Sequence, residues 1–305
     1  MTRVSLVLGS GGPVGHAFHA GALLAIHEEL GIDAREASLI IGTSAGAQVA
    51  ALLRAKMSVR DVYMRSFGGR LSTEGEEIAR HYVRPSHEPP PGPSDPWRPA
   101  SMAYVRCVVQ RPWRANAGHL VSALMRPGRV SLEPQAHGLR RLFDGGWSER
   151  PLWIVAVDLD SGDRVILGRP GGPTVDVGTA VAASGAVPGM CAPVPVDRLR
   201  LVDGGVISAS HSDLLVHADH EVAIVINPLS LFPPLRLTLR RELRELRRRG
   251  DRVLLVEPTA RTRRVMGLNP MATDRAREVA RAARWQVRAM LREPGLRERL
   301  DAWIR

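Results

Sequence analysis

One lysine, two cysteines and little aromatic surface set the first limits on this chain of 305 residues. With only Cys107 and Cys191, no disulfide framework is available, which points to a reducing compartment. The apolar run at the start, Val4 to Leu8, is too short for the core of a signal peptide. Two uncharged runs, Ala37 to Leu53 and Val177 to Val196, approach the roughly 20 residues needed to cross a bilayer. Glycine or proline interrupts both, so neither reads as a membrane span. No Gly-Lys-Ser/Thr follows the first glycine-rich turn, which excludes a P-loop. The dinucleotide pattern G-x-G-x-x-G is also broken there: counted from Gly9 its last position is Val14, and counted from Ser10 its first is not glycine. A cytoplasmic globular protein is the expectation, with neither metal nor organic cofactor required.

Positive charge is plentiful but unevenly placed. The net charge is +11. Residues 236–305 hold 20 arginines against nine acids and so carry the whole excess, while the first 235 residues balance. Since Lys56 is the only lysine, part of the arginine bias reflects composition and says little by its number alone. The C-terminal arginines nevertheless have a pattern. A helix over Leu235 to Arg249 would align Leu235, Leu239, Leu243 and Leu246, with Gly250 as its stop. A second, over Asp274 to Arg292, would align Ala276, Val279, Ala280, Ala283, Val287 and Met290 on one face. Along another face run Arg277, Arg281, Arg284, Arg288 and Arg292. Either both helices pack on the core, with Glu242, Glu245 and Glu278 partly neutralising a solvated ridge, or the ridge docks on anionic lipid. Nucleic acid is disfavoured, because no recognisable module or aromatic interleaving accompanies the charge.

The chemistry concentrates in two glycine turns near the start. Gly42-Thr43-Ser44-Ala45-Gly46 follows the apolar run Ser38 to Ile41, the layout of a nucleophile elbow: the serine sits on a sharp strand-to-helix turn where flanking side chains would clash. About thirty residues earlier, Gly9-Ser10-Gly11-Gly12-Pro13-Val14-Gly15 follows the strand Val4 to Leu8. Exposed N–H groups in such a loop, at the start of a helix over about His16 to Leu30, suit the oxyanion that a serine nucleophile creates. A tight structural turn or a phosphate cradle are the competing readings of that loop. Ala45 to Leu53 should form the helix behind the serine.

A base is offered by Asp203-Gly204-Gly205, after the short strand Leu199 to Val202. An aspartate at a strand end can reach a serine on a neighbouring strand end, although the same dipeptides also make hairpin turns. A Ser-Asp-His triad would draw on His211, His217 or His220. Against it, Ser44 ends only the second strand, and the three histidines lie in the polar stretch Ser208 to His220, where surface positions are expected. His16 and His19 read as helix-face residues and are left unassigned.

Taken together, these stretches resemble the patatin-like phospholipases. Leu6 to Gly15 is similar to that family's oxyanion loop, Gly42 to Gly46 to its nucleophile elbow, Ala183-Ser184-Gly185-Ala186-Val187-Pro188-Gly189 to its small-residue segment, and Asp203-Gly204-Gly205 to its Asp-Gly-Ala/Gly. The resemblance spans roughly residues 4 to 227. It implies a three-layer α/β/α fold with a mostly parallel sheet, and a Ser44–Asp203 dyad that cleaves lipid acyl esters through an acyl-enzyme. Gly11, Gly12 and Ala45 would be the oxyanion donors, and Gly9, Gly15, Gly42, Gly46, Gly204 and Gly205 the motif glycines. Two departures stand out. Val14 occupies a position where many members carry arginine, and Ser10 replaces a glycine. They keep open a second reading, a catalytically weak patatin-shaped lipid-binding or scaffold protein.

The remaining organisation follows from composition. Residues 1–230 read as the hydrolase domain and 231–305 as a basic, mainly helical extension, the peripheral inner-membrane contact if its ridge binds lipid. A proline-rich insert spans about 84–150. It is either a surface excursion or a cap lining the site with Trp97, Met102, Trp113, Leu120 and Met125. Asp158, Asp160 and Asp163 invite a metal reading, but Asp160-Ser161-Gly162-Asp163 between the strands Leu152 to Val157 and Arg164 to Leu167 is ordinary hairpin chemistry. Nothing in the sequence fixes an oligomeric state.

Overall fold

The computed structural model describes residues 2–82, 98–112, 116–229 and 233–304. At its centre β1 (Val4–Leu8), buried at every position, pairs in parallel with β2 (Leu39–Gly42) and, on its other edge, with β7 (Val222–Ile226). β2 pairs in parallel with β3 (Leu152–Asp158), and β7 in parallel with β8 (Arg252–Val256). Antiparallel pairs complete the sheet: β4 (Arg164–Leu167) and β6 (Leu199–Asp203) with β3, and β5 (Val194–Val196) with β6. The order is β5-β6-β3-β2-β1-β7-β8, with β4 on β3. Continuous apolar strands such as these belong to a parallel sheet covered on both faces.

Side chains alternate between the two covering layers. Leu6 and Leu8 join the larger core with α1 (Gly12–Leu30), α2 (Ala45–Arg54) and α8 (Val177–Ser184), while Val7 points to the opposite layer. There Leu239, Leu243 and Leu246 of α9 (Pro233–Arg248) cover Ile41, Val155 and Val225. This is the expected three-layer arrangement. Among the described residues no helix is long and apolar enough to cross a membrane.

The C-terminal residues do more than the sequence suggested. They supply β8, a strand not anticipated within the basic segment, and α11 (Ala276–Leu291), whose Val279, Ala280, Ala283 and Val287 are buried. Gly21 of α1 lets the two helices meet, because a Cβ there would strike the Ala280 carbonyl. The arginine ridge is largely engaged inside the molecule: Arg284 pairs with Glu28, and Arg288 and Arg292 with Glu29, at the end of α1. Arg277 lies over the Phe67 ring and donates to its carbonyl. Arg281 stays exposed. The neutralising acids are thus Glu28 and Glu29, and Glu242, expected on the solvated face, is buried instead.

Between β3 and β4 the hairpin forms as read, with Asp158 accepting from the Ser161 N–H and Gly162 at φ 77°. Helices α3 (Val59–Phe67), α4 (Thr73–His81), α5 (Met102–Gln110), α6 (Ala117–Leu124) and α7 (Glu133–Leu142) fill the long connection from α2 to β3. Trp97 and Trp113 of the envisaged cap, and most of the proline-rich stretch, lie outside the described residues. Met102 and Met125 are exposed and Leu120 is half-buried.

Candidate active site

The register of one strand explains how residues 159 positions apart come together. β3 carries β4 along one edge. Along its other edge lie β2, ending with Gly42 opposite Ile154, and then β6, ending with Asp203 opposite Ala156. β2 runs parallel to β3 and β6 antiparallel, so their C-terminal ends meet head-on, two β3 residues apart. The turn after each strand therefore opens at the same point.

Ser44 occupies that point with φ 54° and ψ −118°, a backbone conformation that costs a non-glycine residue on the order of 1–3 kcal/mol and persists only where the surroundings impose it. Those surroundings are visible. The Ser44 N–H donates to Ser184 Oγ at 2.9 Å, and Ser184 in turn donates to the Val155 carbonyl at 2.6 Å. Ser184 thus ties the elbow to β3 from the end of α8; the sequence placed it in the small-residue segment without giving it a role. Any side chain at Gly46 would strike the Leu8 carbonyl, and a Cβ on Gly42 would lie 2.6 Å from Ala47 Cα.

Asp203 is buried on the same cavity as Ser44, and its carboxylate accepts from the Gly205 N–H at 2.7 Å. Burial outweighs the Gly205 bond and the nearby Ser44 hydroxyl, both of which favour the ionised form, and raises its pKa from the ordinary 3.8 to about 6. Gly204 passes close under β3, where a Cβ would come within 2.6 Å of the Val155 carbonyl.

His211 lies directly beneath this turn. It was expected at the surface and is fully buried. Its Nε2–H donates to the Gly204 carbonyl at 3.0 Å, and its Nδ1 faces the Arg164 guanidinium at 3.3 Å. Burial, assisted by Arg164, lowers its pKa to about 4, so the ring is neutral. With both nitrogens engaged, His211 positions the Asp203 turn and is not available as a base to Ser44. His217 is exposed and His220 half-buried. The turn has a further support: Ser208, Ser210 and Ser212 hydroxyls all donate to the buried Glu242 carboxylate of α9, at 2.6 to 2.9 Å.

The glycine loop faces Ser44 from the end of β1. α1 begins at Gly12, earlier than the sequence indicated, so Pro13 lies in its first turn, where a missing N–H breaks no helix bond. Gly12 has φ +57°. Val14 donates its N–H to the Pro270 carbonyl and buries its side chain in the core. Among the described residues no backbone acceptor takes the N–H of Gly11, Gly12 or Ala45. These are orphan donors at the starts of two helices, and all three residues border the same cavity as Ser44 and Asp203. His19, also fully buried, steadies the loop by donating Nε2–H to the Gly9 carbonyl at 2.7 Å, and burial lowers its pKa to about 4.

The cavity measures about 300 Å³. Its walls are mainly apolar, with Tyr82, Val187, Val206, Leu229, Pro270 and Met271 among the lining residues. Ser10 and His16 are among its polar groups. Pro270, Met271, Thr273 and Ala276 come from the C-terminal segment, which therefore builds one wall of the site. Of the insert residues envisaged as lining, the described ones, Met102, Leu120 and Met125, do not border it.

A strand-ended serine held at positive φ, with a buried carboxylate on the same cavity and helix-start N–H groups bordering it, is a layout compatible with a serine hydrolase built on an α/β sheet. The model of the patatin-like phospholipase family matches residues 6–211, two thirds of the chain. The chain belongs to that family. No curated protein sequence gives a significant match. Solved structures with a similar course include VipD from Legionella pneumophila, at 13% identity and TM-score 0.47, covering 95% of this chain and 66% of that one. The ExoU-SpcU complex from the type III secretion system of Pseudomonas aeruginosa follows at 15% and 0.40, covering 95% and 51%. Human GIVD cytosolic phospholipase A2, in complex with methyl gamma-linolenyl fluorophosphonate, stands at 13% and 0.41, covering 98% and 60%. The chain thus spans between half and two thirds of these longer proteins, and likenesses this distant carry no argument about its substrate.

Proposed function

We propose that this protein is a serine acyl hydrolase of lipid esters, working through a Ser44–Asp203 dyad. The observation that carries the reading is that Ser44 and the buried Asp203 carboxylate share one apolar cavity, bordered by three N–H groups that no backbone carbonyl takes among the described residues. In the reaction, Ser44 Oγ attacks the ester carbonyl carbon as Asp203 takes its proton. The N–H groups of Gly11, Gly12 and Ala45 hold the oxyanion. Collapse of the intermediate breaks the C–O bond, and Asp203 returns the proton to the leaving alcohol. Water, activated by the same carboxylate, then attacks the acyl-enzyme and frees the acid. The apolar walls suit an acyl chain.

On this reading residues 231–305 belong to the catalytic unit rather than to an appended domain, because β8 extends the sheet and Pro270 and Met271 wall the site. A cytoplasmic location fits the two free thiols.

A fluorophosphonate probe tests the nucleophile directly: mass spectrometry of the digested adduct should place the label on Ser44. A protein that binds lipid vesicles but takes no label would instead be a patatin-shaped binding protein.

The pH profile is a second test. Because Asp203 must be ionised to accept a proton, kcat/KM for a neutral ester should plateau above about pH 6 and fall about tenfold per unit below it. A midpoint near 3.8 would mean that burial leaves Asp203 unshifted, and a profile that stays flat on acidification would remove it as the base.

A further inference from the structure

We propose that the outer face of α5 and α6 is the surface by which this protein docks onto an anionic lipid bilayer, bringing one wall of its cavity to the membrane. The inference deepens the lipid-ester reading above and rests on it for the purpose of the surface.

Exposed apolar residues are unevenly distributed over the described molecule. Of its eight exposed large hydrophobic side chains, five lie on this hairpin: Met102, Val109, Val121, Leu124 and Met125. Val109 is 78% exposed and Val121 60%. They are not the untidy inner sides of loose helices, since each helix already has a packed inner face. Tyr104 of α5 is buried edge-on against His119 of α6, ring centroids 4.2 Å apart, and His119 Nε2 donates to the Leu159 carbonyl at 3.1 Å. Ser101, at the start of α5, donates to Asp160, which Arg200 clamps while also donating to the Ala100 carbonyl. The hairpin is fastened to the body and still shows a second apolar face. Clustered apolar exposure of this kind marks an interaction surface.

Charge selects the occupant. Residues 98–112 and 116–128 contain Arg98, Arg106, Arg111 and Arg126, all exposed, and no aspartate or glutamate. The arginines of α11 are matched by Glu28 and Glu29, but this stretch has no carboxylate of its own. Apolar side chains set among exposed arginines, in a stretch without acids, are what an amphipathic element needs to lie in the headgroup region of an anionic bilayer. A nucleic acid would use the charge and leave the valines and methionines wet.

Position supplies the purpose. Met125 lies against Gly189, next to Val187 and Pro188 of the cavity wall, and Gly118 of α6 packs on the carbonyl of Val206, another wall residue. A bilayer seated on the hairpin would therefore adjoin this wall of the cavity.

The test uses the full chain and two kinds of vesicle, phosphatidylcholine alone and phosphatidylcholine with 30% phosphatidylglycerol (about one anionic lipid in three, a strongly negative surface). Wild type should co-float with the anionic vesicles, more weakly as salt is raised. Val109→Asp with Val121→Asp, and separately Arg106→Glu with Arg126→Glu, should each lower the partition coefficient by about tenfold or more. All four residues are exposed, so the fold should survive, as circular dichroism would show. Hydrolysis of a monomeric short-chain p-nitrophenyl ester should be unchanged in both variants. Arg281→Glu, on the α11 ridge, should leave flotation unaltered. The surface is refuted if wild type ignores anionic vesicles, if neither pair of substitutions weakens flotation, or if Arg281→Glu alone abolishes it. Flotation of wild type as expected, with no hydrolysis of the soluble ester, would instead sink the catalytic reading and leave the docking surface standing.

Discussion

Ser44→Ala should reduce turnover of a medium-chain p-nitrophenyl ester by about 10⁴-fold or more, the usual scale for loss of a nucleophile. Asp203→Asn should do nearly the same, because the two residues act as one unit and the double variant should be scarcely worse than either alone. Full activity in Asp203→Asn would remove the dyad from consideration. Stability should move the other way. The pKa of Asp203 is raised in the folded protein, so between pH about 4 and 6 the native state holds a proton that the unfolded chain has already released. Folding stability therefore falls as pH rises through that window, and the ionised carboxylate remains a burden above it. At pH 8 Asp203→Asn should be more stable than wild type by about 1–3 kcal/mol, at about 1.4 kcal/mol per pKa unit. At pH 4 the difference should nearly vanish. Thermal denaturation at the two pH values measures it. An inactive variant that gains stability is the mark of a residue kept for chemistry.

Gly12→Ala is the second large effect. The residue has φ +57°, and an added Cβ would lie 2.6 Å from the Pro270 carbonyl oxygen and 2.8 Å from Met271 Sδ. To fit, the loop must move, carrying the N–H groups of Gly11 and Gly12 away from the position opposite Ser44. Displacing an oxyanion donor costs about 10²–10³ in kcat, with about 1–3 kcal/mol of stability lost to backbone strain. Gly250→Ala is the matching control: φ is +83° with nothing within 4 Å of the new Cβ, so strain is added without disturbing the site. It should lower the melting temperature and leave kcat unchanged. Equal loss of kcat in both variants would show that Gly12 acts only through stability.

The two glycine turns, Ser44 and Asp203 were legible in the sequence because each is a local pattern: an apolar strand followed by residues that permit a turn no side chain would allow. Helix α2 was legible from its place behind the elbow, and α9 and α11 from their periodicity. The partners were not legible. Nothing near Arg284 or Arg292 in sequence indicates that Glu28 and Glu29, more than 250 residues earlier, would meet them. The same holds for Glu242, which by its neighbours belongs to a charged surface and in the fold receives three serine hydroxyls. Burial of His211 depends on the Arg164 and Gly204 that surround it, and the cavity wall of Pro270 and Met271 depends on α11 docking against α1.

The sequence by itself determined which residues could do chemistry and most of the strands and helices around them, since those follow from side-chain type and spacing within a few residues, whereas β8 and the helices between α2 and β3 emerged only in the fold. Only the tertiary structure decided that Ser44 and Asp203 meet, because that rests on β2 and β6 ending head-on along one edge of β3. It also decided which acids meet the arginines of α11, because an ion pair needs its partner within about 4 Å in space, and spacing along the chain does not specify that distance.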